Sequence, residues 1–140
     1  MKVNIEPYTD DGEEQVVEVT IHDYDTWSMD YTLAPIILPM LIQLKETKHG
    51  APNVDWEDVP RELRPGGEEL RAYNRDGTTD DLFFERWDYV LDEMIYAFDC
   101  KANKDNVIMR FDDRKEQARE QKRISNGFRL FGKYYEALWD

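Results

Sequence analysis

Cysteine is nearly missing from this chain: Cys100 is the only one in 140 residues. It has no intrachain disulfide partner, and every cysteine-rich zinc site is excluded. Histidine is also scarce. His22 and His49 stand far apart, with no Glu-x-x-His pair, and nothing in the sequence brings either ring to the Cys100 thiol. No apolar run reaches the roughly 18 residues of a membrane span. The nearest, residues 33–44, is too short and holds Pro35 and Pro39. The opening stretch, MKVNIEPYTDDG, has neither an apolar signal core nor a basic amphipathic pattern, so a cytoplasmic protein is expected. Positive charge is the last shortage. Eighteen basic residues face 31 acidic ones, for a net charge of −13. That balance repels long polyanions over most of the surface and argues against a general nucleic-acid binder. It leaves room for a small anion in a focused pocket, or for an acidic body that imitates a nucleic acid.

What is present points to a folded chain. Apolar residues make up 41% of the sequence, with 4 Trp, 8 Tyr and 6 Phe. The length suits one domain, 1–140, and a chain of this size buries about two-thirds of its unfolded surface. Residues 2–8 and 15–22 alternate apolar and polar positions around the turn signal TDDGEE, which predicts an antiparallel hairpin within 1–23. The helical body spans 32–140. Its first helix is expected from an N-cap at Thr32 to about His49, with Pro35 in the first turn and a kink at Pro39, and apolar enough to be buried on several sides. Residues 50–78 carry Pro52, Pro60, Pro65 and the Gly66-Gly67 pair and read as a long irregular connection. A second helix is expected over 80–99, capped by Asp80 or Thr79, a short strand over 107–111, and a third helix over 113–138. The fold class is therefore α+β: three helices packed on a small antiparallel hairpin.

The charge is unevenly spread. Residues 114–133 carry a net +5, against −16 over residues 1–113 and −2 over 134–140. On a helix, Arg119, Lys122, Arg123, Asn126, Arg129 and Lys133 share about 120° of arc, while Ile124, Phe128, Phe131, Tyr135 and Leu138 form an apolar stripe. Such a basic face either receives an anion or is a solvated face paired with the acidic body. Gly127 lowers helix stability by about 1 kcal/mol relative to Ala, which suggests close approach by another backbone or a ligand. Basic and aromatic residues are interleaved over Arg129 to Tyr135, and Trp27 and Tyr31 flank Asp30 in a second aromatic cluster. Ring stacking contributes about 1–3 kcal/mol per base, so aromatics beside cations suit a small nucleotide. The competing reading of the rings is core packing.

Glu85, Asp88, Asp92 and Glu93 could hold a divalent metal, but a solvated acidic helix face is the preferred reading. Ser28 and Ser125 occupy no nucleophile elbow. There is no Walker loop, dinucleotide fingerprint or His-x-His pair, so no enzymatic activity and no cofactor are expected.

Three blocks resemble a family of small proteins from large tailed phages. They are WSMDYTLAPIILPMLIQLKETKHGAP with VDWEDVP (27–60), ERWDYVLDEMIYAF (85–98) and RISNGFRLFGKYYEALWD (123–140), over half of the chain. The family is similar to counter-defence sponges, oligomers that bind the cyclic oligonucleotide signals of bacterial CBASS immunity without cleaving them. The resemblance implies a homo-oligomer, dimer or tetramer, in the host cytoplasm. Phosphate contacts would fall to Arg123, Arg129, Lys133, Lys45 and Lys48, stacking to Trp27, Tyr31 and Tyr134, and polar contacts to Asn126, Asp30 and His49. Arg129→Ala would abolish ligand retention and leave the fold intact. The alternatives are an acidic protein–protein inhibitor or nucleic-acid mimic acting on a host protein, which calls for a basic face satisfied by internal carboxylates, and a phosphoesterase that degrades the signal.

Overall fold

A computed structural model describes residues 1–8, 15–103 and 112–140. The architecture is α+β. Among the described residues there are two strands, β1 (Lys2–Ile5) and β2 (Val17–Thr20), and four α-helices, α1 (Met29–Thr47), α2 (Gly67–Asp76), α3 (Phe83–Ala102) and α4 (Arg114–Lys133). Single 3-10 turns lie at Trp56–Asp58, Arg61–Leu63 and Tyr135–Ala137. The strand expected over 107–111 lies outside the described residues.

The long helix α3 is the centre of the molecule because its apolar residues recur on several sides. Trp87, Val90, Leu91, Met94 and Ala97 are completely buried. Helices α1 and α4 both pack against it, each antiparallel to it. Contacts of Asp30 with Lys101 and of Lys48 with Asp88 set the direction of α1. Those of Arg123 with Glu93 and of Trp87 with Tyr134 set that of α4. Leu41 and Ala34 from α1, Leu130 and Ile124 from α4, and Val54 and Val59 from the connecting segment complete the core. Phe98 meets Phe128 and Phe131 edge-on at 5.1 and 4.8 Å between ring centres, an arrangement that aligns ring edges with ring faces.

Gly127 marks the close approach of α4 to α3. A Cβ on Gly127 would overlap the Glu93 carbonyl oxygen and lie 2.6 Å from Ala97 Cβ. The close approach expected from the sequence is thus to a backbone within the fold.

Several expectations are corrected. The helices do not pack on the hairpin: every residue of β1 and β2 is exposed. The pairing is regular, with Val3 opposite Val19 and Ile5 opposite Val17, so one ribbon face is wholly apolar and uncovered. Helix α1 starts one turn early, with Ser28 in the N-cap position. The Thr32 hydroxyl instead donates to the Asp25 carbonyl at 3.0 Å. Pro35 and Pro39 both sit inside this helix, each lacking an N–H for the carbonyl four residues back. Only Ala34 and Leu41 of α1 are buried, because one face alone meets α3.

The connection over 50–78 is not irregular throughout, since it contains α2. There the Glu69 carboxylate accepts the Gly66 N–H at 2.5 Å, and Gly77 closes the helix in the left-handed region at φ 77°. Leu82, not Asp80, precedes α3. Asp80 is used otherwise, in a buried ion pair with Arg86, whose guanidinium also donates to the Leu63 carbonyl at 2.9 Å. Helix α4 ends at Lys133, so Tyr135 leaves the expected apolar stripe and is exposed.

Candidate functional site

The eleven candidate binding residues occupy three separate places. Trp27, Asp30 and Tyr31 lie at the start of α1, and Lys45, Lys48 and His49 at or just beyond its other end. A 19-residue helix is about 28 Å long, so no single small ligand bridges these groups. Arg123, Asn126, Arg129, Lys133 and Tyr134 follow one side of α4 to its last turn.

The charged candidates are paired within the chain. Arg123 donates from Nε and Nη2 to the Glu93 carboxylate at 2.9 to 3.2 Å, and its guanidinium lies 3.7 Å over the Tyr96 ring. The Glu93 hydrogen bonds raise the Arg123 pKa against the opposing effect of burial. Lys45 meets Asp92 at 2.6 Å and Lys48 meets Asp88 at 2.5 Å. The His49 ring lies 3.0 Å from Asp140, whose carboxyl is held below its usual range by the backbone and ring of His49. Asp30 binds Lys101 at 2.8 Å, and that ammonium also sits 4.5 Å over the Tyr31 ring.

The densest network surrounds Asp58, which is only 8% exposed. Its carboxylate accepts from Arg129 at 2.6 Å, Lys133 at 2.5 Å and the Tyr134 hydroxyl at 2.8 Å. Lys133 also reaches Asp55 at 2.6 Å, and the Asp55 N–H donates to the Tyr134 hydroxyl oxygen. Burial opposes the Asp58 charge, but the bonds from Lys133, Arg129 and Tyr134 outweigh it and hold the carboxyl below its ordinary pKa. Burial and the bond to Asp58 push the Tyr134 phenol up to about 12. Tyr134 is therefore a buried clamp between the 3-10 turn at Trp56–Asp58 and α4, not a stacking platform. Asn126 is likewise engaged, accepting from Arg129 Nε at 2.9 Å.

The basic strip consequently divides. Its C-terminal part is neutralised by Glu93, Asp55 and Asp58. Arg114, Lys115, Arg119 and Lys122, all exposed, form no ion pair among the described residues. Trp27 is 80% exposed and stacks on Tyr24, at 5.6 Å.

The acidic candidates do not converge on a metal. Glu93 turns to Arg123, while Asp88 and Asp92 turn to α1, and no carboxylate, histidine or cysteine cluster among the described residues could hold an ion. Glu85, Asp88, Asp92 and Asp99 instead follow one narrow stripe along α3, within about 60° of arc, and Asp81 lies just before the helix.

The larger concave features were not visible from the residues. Between α1 and α4, over α3, runs an apolar groove made of two cavities of about 570 and 1040 Å³ that share Ile37 and Phe131. The smaller holds Asp30, Tyr31, Lys101 and Phe128. The larger holds Tyr8, Met40, Tyr135 and Trp139. The pairing roles of Asp58, Glu93 and Lys101, which set the electrostatics, were missed because each lies 30 or more positions from its partner, beyond any local spacing rule. Comparison with family models, with curated proteins and with solved structures gives no match.

Proposed function

We propose that this chain is a non-catalytic interaction protein that presents an acidic surface to a basic partner protein, as an inhibitor or a nucleic-acid mimic would. The supporting observation is the internal use of its cations. Arg123, Arg129, Lys133, Lys45 and Lys48 are each taken up by carboxylates of the same chain. The surplus charge of −13 is then displayed on the outside, in part at Asp81 before α3 and along the α3 stripe, where Glu85 is exposed. A surface of one sign steers an oppositely charged partner, raises its rate of encounter and makes binding salt-sensitive.

A second reading keeps cyclic-oligonucleotide sequestration. It rests on the cavity of about 570 Å³ beside Tyr31, Phe128 and Lys101, a volume in the range of small-molecule sites. Against it, Lys101 is the one cation lining that cavity among the described residues, and it is already compensated by Asp30. Among the described residues, two phosphates would meet an apolar pocket with no unpaired positive partner, at a large desolvation penalty.

One experiment separates the readings. The purified chain is mixed with a panel of cyclic di- and trinucleotides, separated from free ligand and heat-denatured, and the released nucleotide is analysed. The acidic-partner reading expects neither retention nor cleavage. Intact nucleotide released on denaturation favours sequestration, and cleaved nucleotide favours a phosphoesterase. In parallel, a partner captured by the chain should be released by moderate salt, compete with duplex DNA, and bind less well to the D81N/E85Q/D92N variant. A captured partner indifferent to salt and to those substitutions sinks the proposal.

A further inference from the structure

Two apolar surfaces of this chain have no cover among the described residues. The first is the ribbon face of Val3, Ile5, Val17 and Val19, each between 36% and 54% exposed. The second is the groove between α1 and α4, rimmed by Leu33, Met40, Tyr135 and Trp139 at 36% to 64% exposure. Tyr8, just beyond β1, also lines the groove, so the two surfaces adjoin. A two-stranded sheet alone is marginal in water and needs something packed on its apolar face.

We propose that a second copy of this chain covers both: the ribbon of each copy lies in the α1–α4 groove of the other, forming a two-fold symmetric dimer. Area favours this occupant. An aromatic side chain carries roughly 150–250 Å² and an aliphatic one somewhat less, so the exposed fractions of these residues and Tyr8 leave roughly 800 Å² of apolar surface per copy. A stable interface takes about 800 Å² from each partner, and a monomer rarely leaves a patch larger than a few hundred.

Shape and stoichiometry agree. A flat ribbon with neighbouring strands about 4.8 Å apart fits a trough between two helices. Both halves of the contact occur once in every chain, as a self-complementary two-fold interface requires. Electrostatics points the same way. Two copies at −13 repel each other over most of their surfaces. The apolar ribbon face carries no charge, and of the charged groups lining the groove among the described residues, Asp30 is paired with Lys101 and Asp140 accepts hydrogen bonds from His49. The groove and ribbon are where like-charged copies can meet.

Sedimentation equilibrium from micromolar to millimolar chain tests this. The wild type should have twice the 16.7 kDa chain mass. Val19→Glu on the ribbon and Met40→Glu on the groove rim are both exposed substitutions, and each should give a monomer with an unchanged far-UV spectrum. In a Cys100→Ser background, mixing a Val19→Cys chain with a Met40→Cys chain should form the mixed disulfide on mild oxidation, in excess over either homodimer. A monomeric wild type overturns the proposal. So does a dimer that survives either glutamate, or a crosslink that prefers like chains.

Discussion

Gly127 of α4 faces the Glu93 carbonyl of α3 with no room for a methyl group between them. The contact fixes how closely the two helices approach, and it places Arg123, one turn earlier, within reach of the Glu93 carboxylate.

Gly127→Ala is expected to destabilise the fold despite its better helix propensity. Alanine returns about 1 kcal/mol in an isolated helix. Here its Cβ meets backbone, which cannot rotate away, and overpacking of this kind is worth about 1–3 kcal/mol. Urea denaturation should show a net loss of stability. A gain would mean that the helices separate freely.

Asp58 controls an acid-sensitive part of the stability. Its folded pKa lies below the unfolded value, so its stabilisation is complete above about pH 4 and is lost as the pH falls through the folded value. Asp58→Asn should lower stability near neutrality by about 2 kcal/mol, the range for hydrogen bonds to a charged group. The variant should also show a flatter stability profile between pH 5 and pH 2 than the wild type, a window set by about two units around the carboxylate range. Parallel profiles would remove Asp58 as the titrating group.

The Arg123–Glu93 pair should respond asymmetrically. Glu93 is 7% exposed, whereas the Arg123 side chain is 45% exposed. Arg123→Met retains the stem on Tyr96 but strands a buried carboxylate, and is expected to lose about 2–3 kcal/mol. Glu93→Gln leaves an arginine that water can reach and should lose less. Thermal or chemical denaturation of the two variants provides the ranking, and equal losses would contradict the burial argument.

Arg129→Ala should leave Asp58 with Lys133 and Tyr134, and so lower stability by only about 1 kcal/mol, since Arg129 is itself half exposed. Lys45→Ala, on a more exposed pair, should change stability by less than about 0.5 kcal/mol. Both follow from calorimetric melting, and a large loss at Lys45 would show that exposed pair to be more than a solvated contact.

Local pattern carried much of the fold. The i, i+3, i+4 recurrence of Trp87, Leu91, Met94 and Phe98 identified the central helix, alternation identified the hairpin, and Gly127 announced a close approach. The short helix α2 was hidden because glycines and prolines around it dominate the composition, although the Gly66 to Glu69 contact and Gly77 are ordinary end signals. The overestimated burial of α1 has a simple cause: apolar residues on every side of a helix show that it wants cover, not that its own chain supplies it.

Charge was legible as an amount and illegible as an arrangement. Composition determined the −13 excess, the exclusion of an intrachain disulfide and the basic tract within α4, because these are sums over residues that no folding alters. Whether Arg123, Arg129 and Lys133 remained open to a ligand depended on Glu93, Asp55 and Asp58, which come from other parts of the chain. Ion pairing falls off with distance in space rather than along the sequence. Only the packing of α4 on α3 and on the Trp56–Asp58 turn could set those distances, and it closed the C-terminal part of the basic face while leaving the groove beside it open.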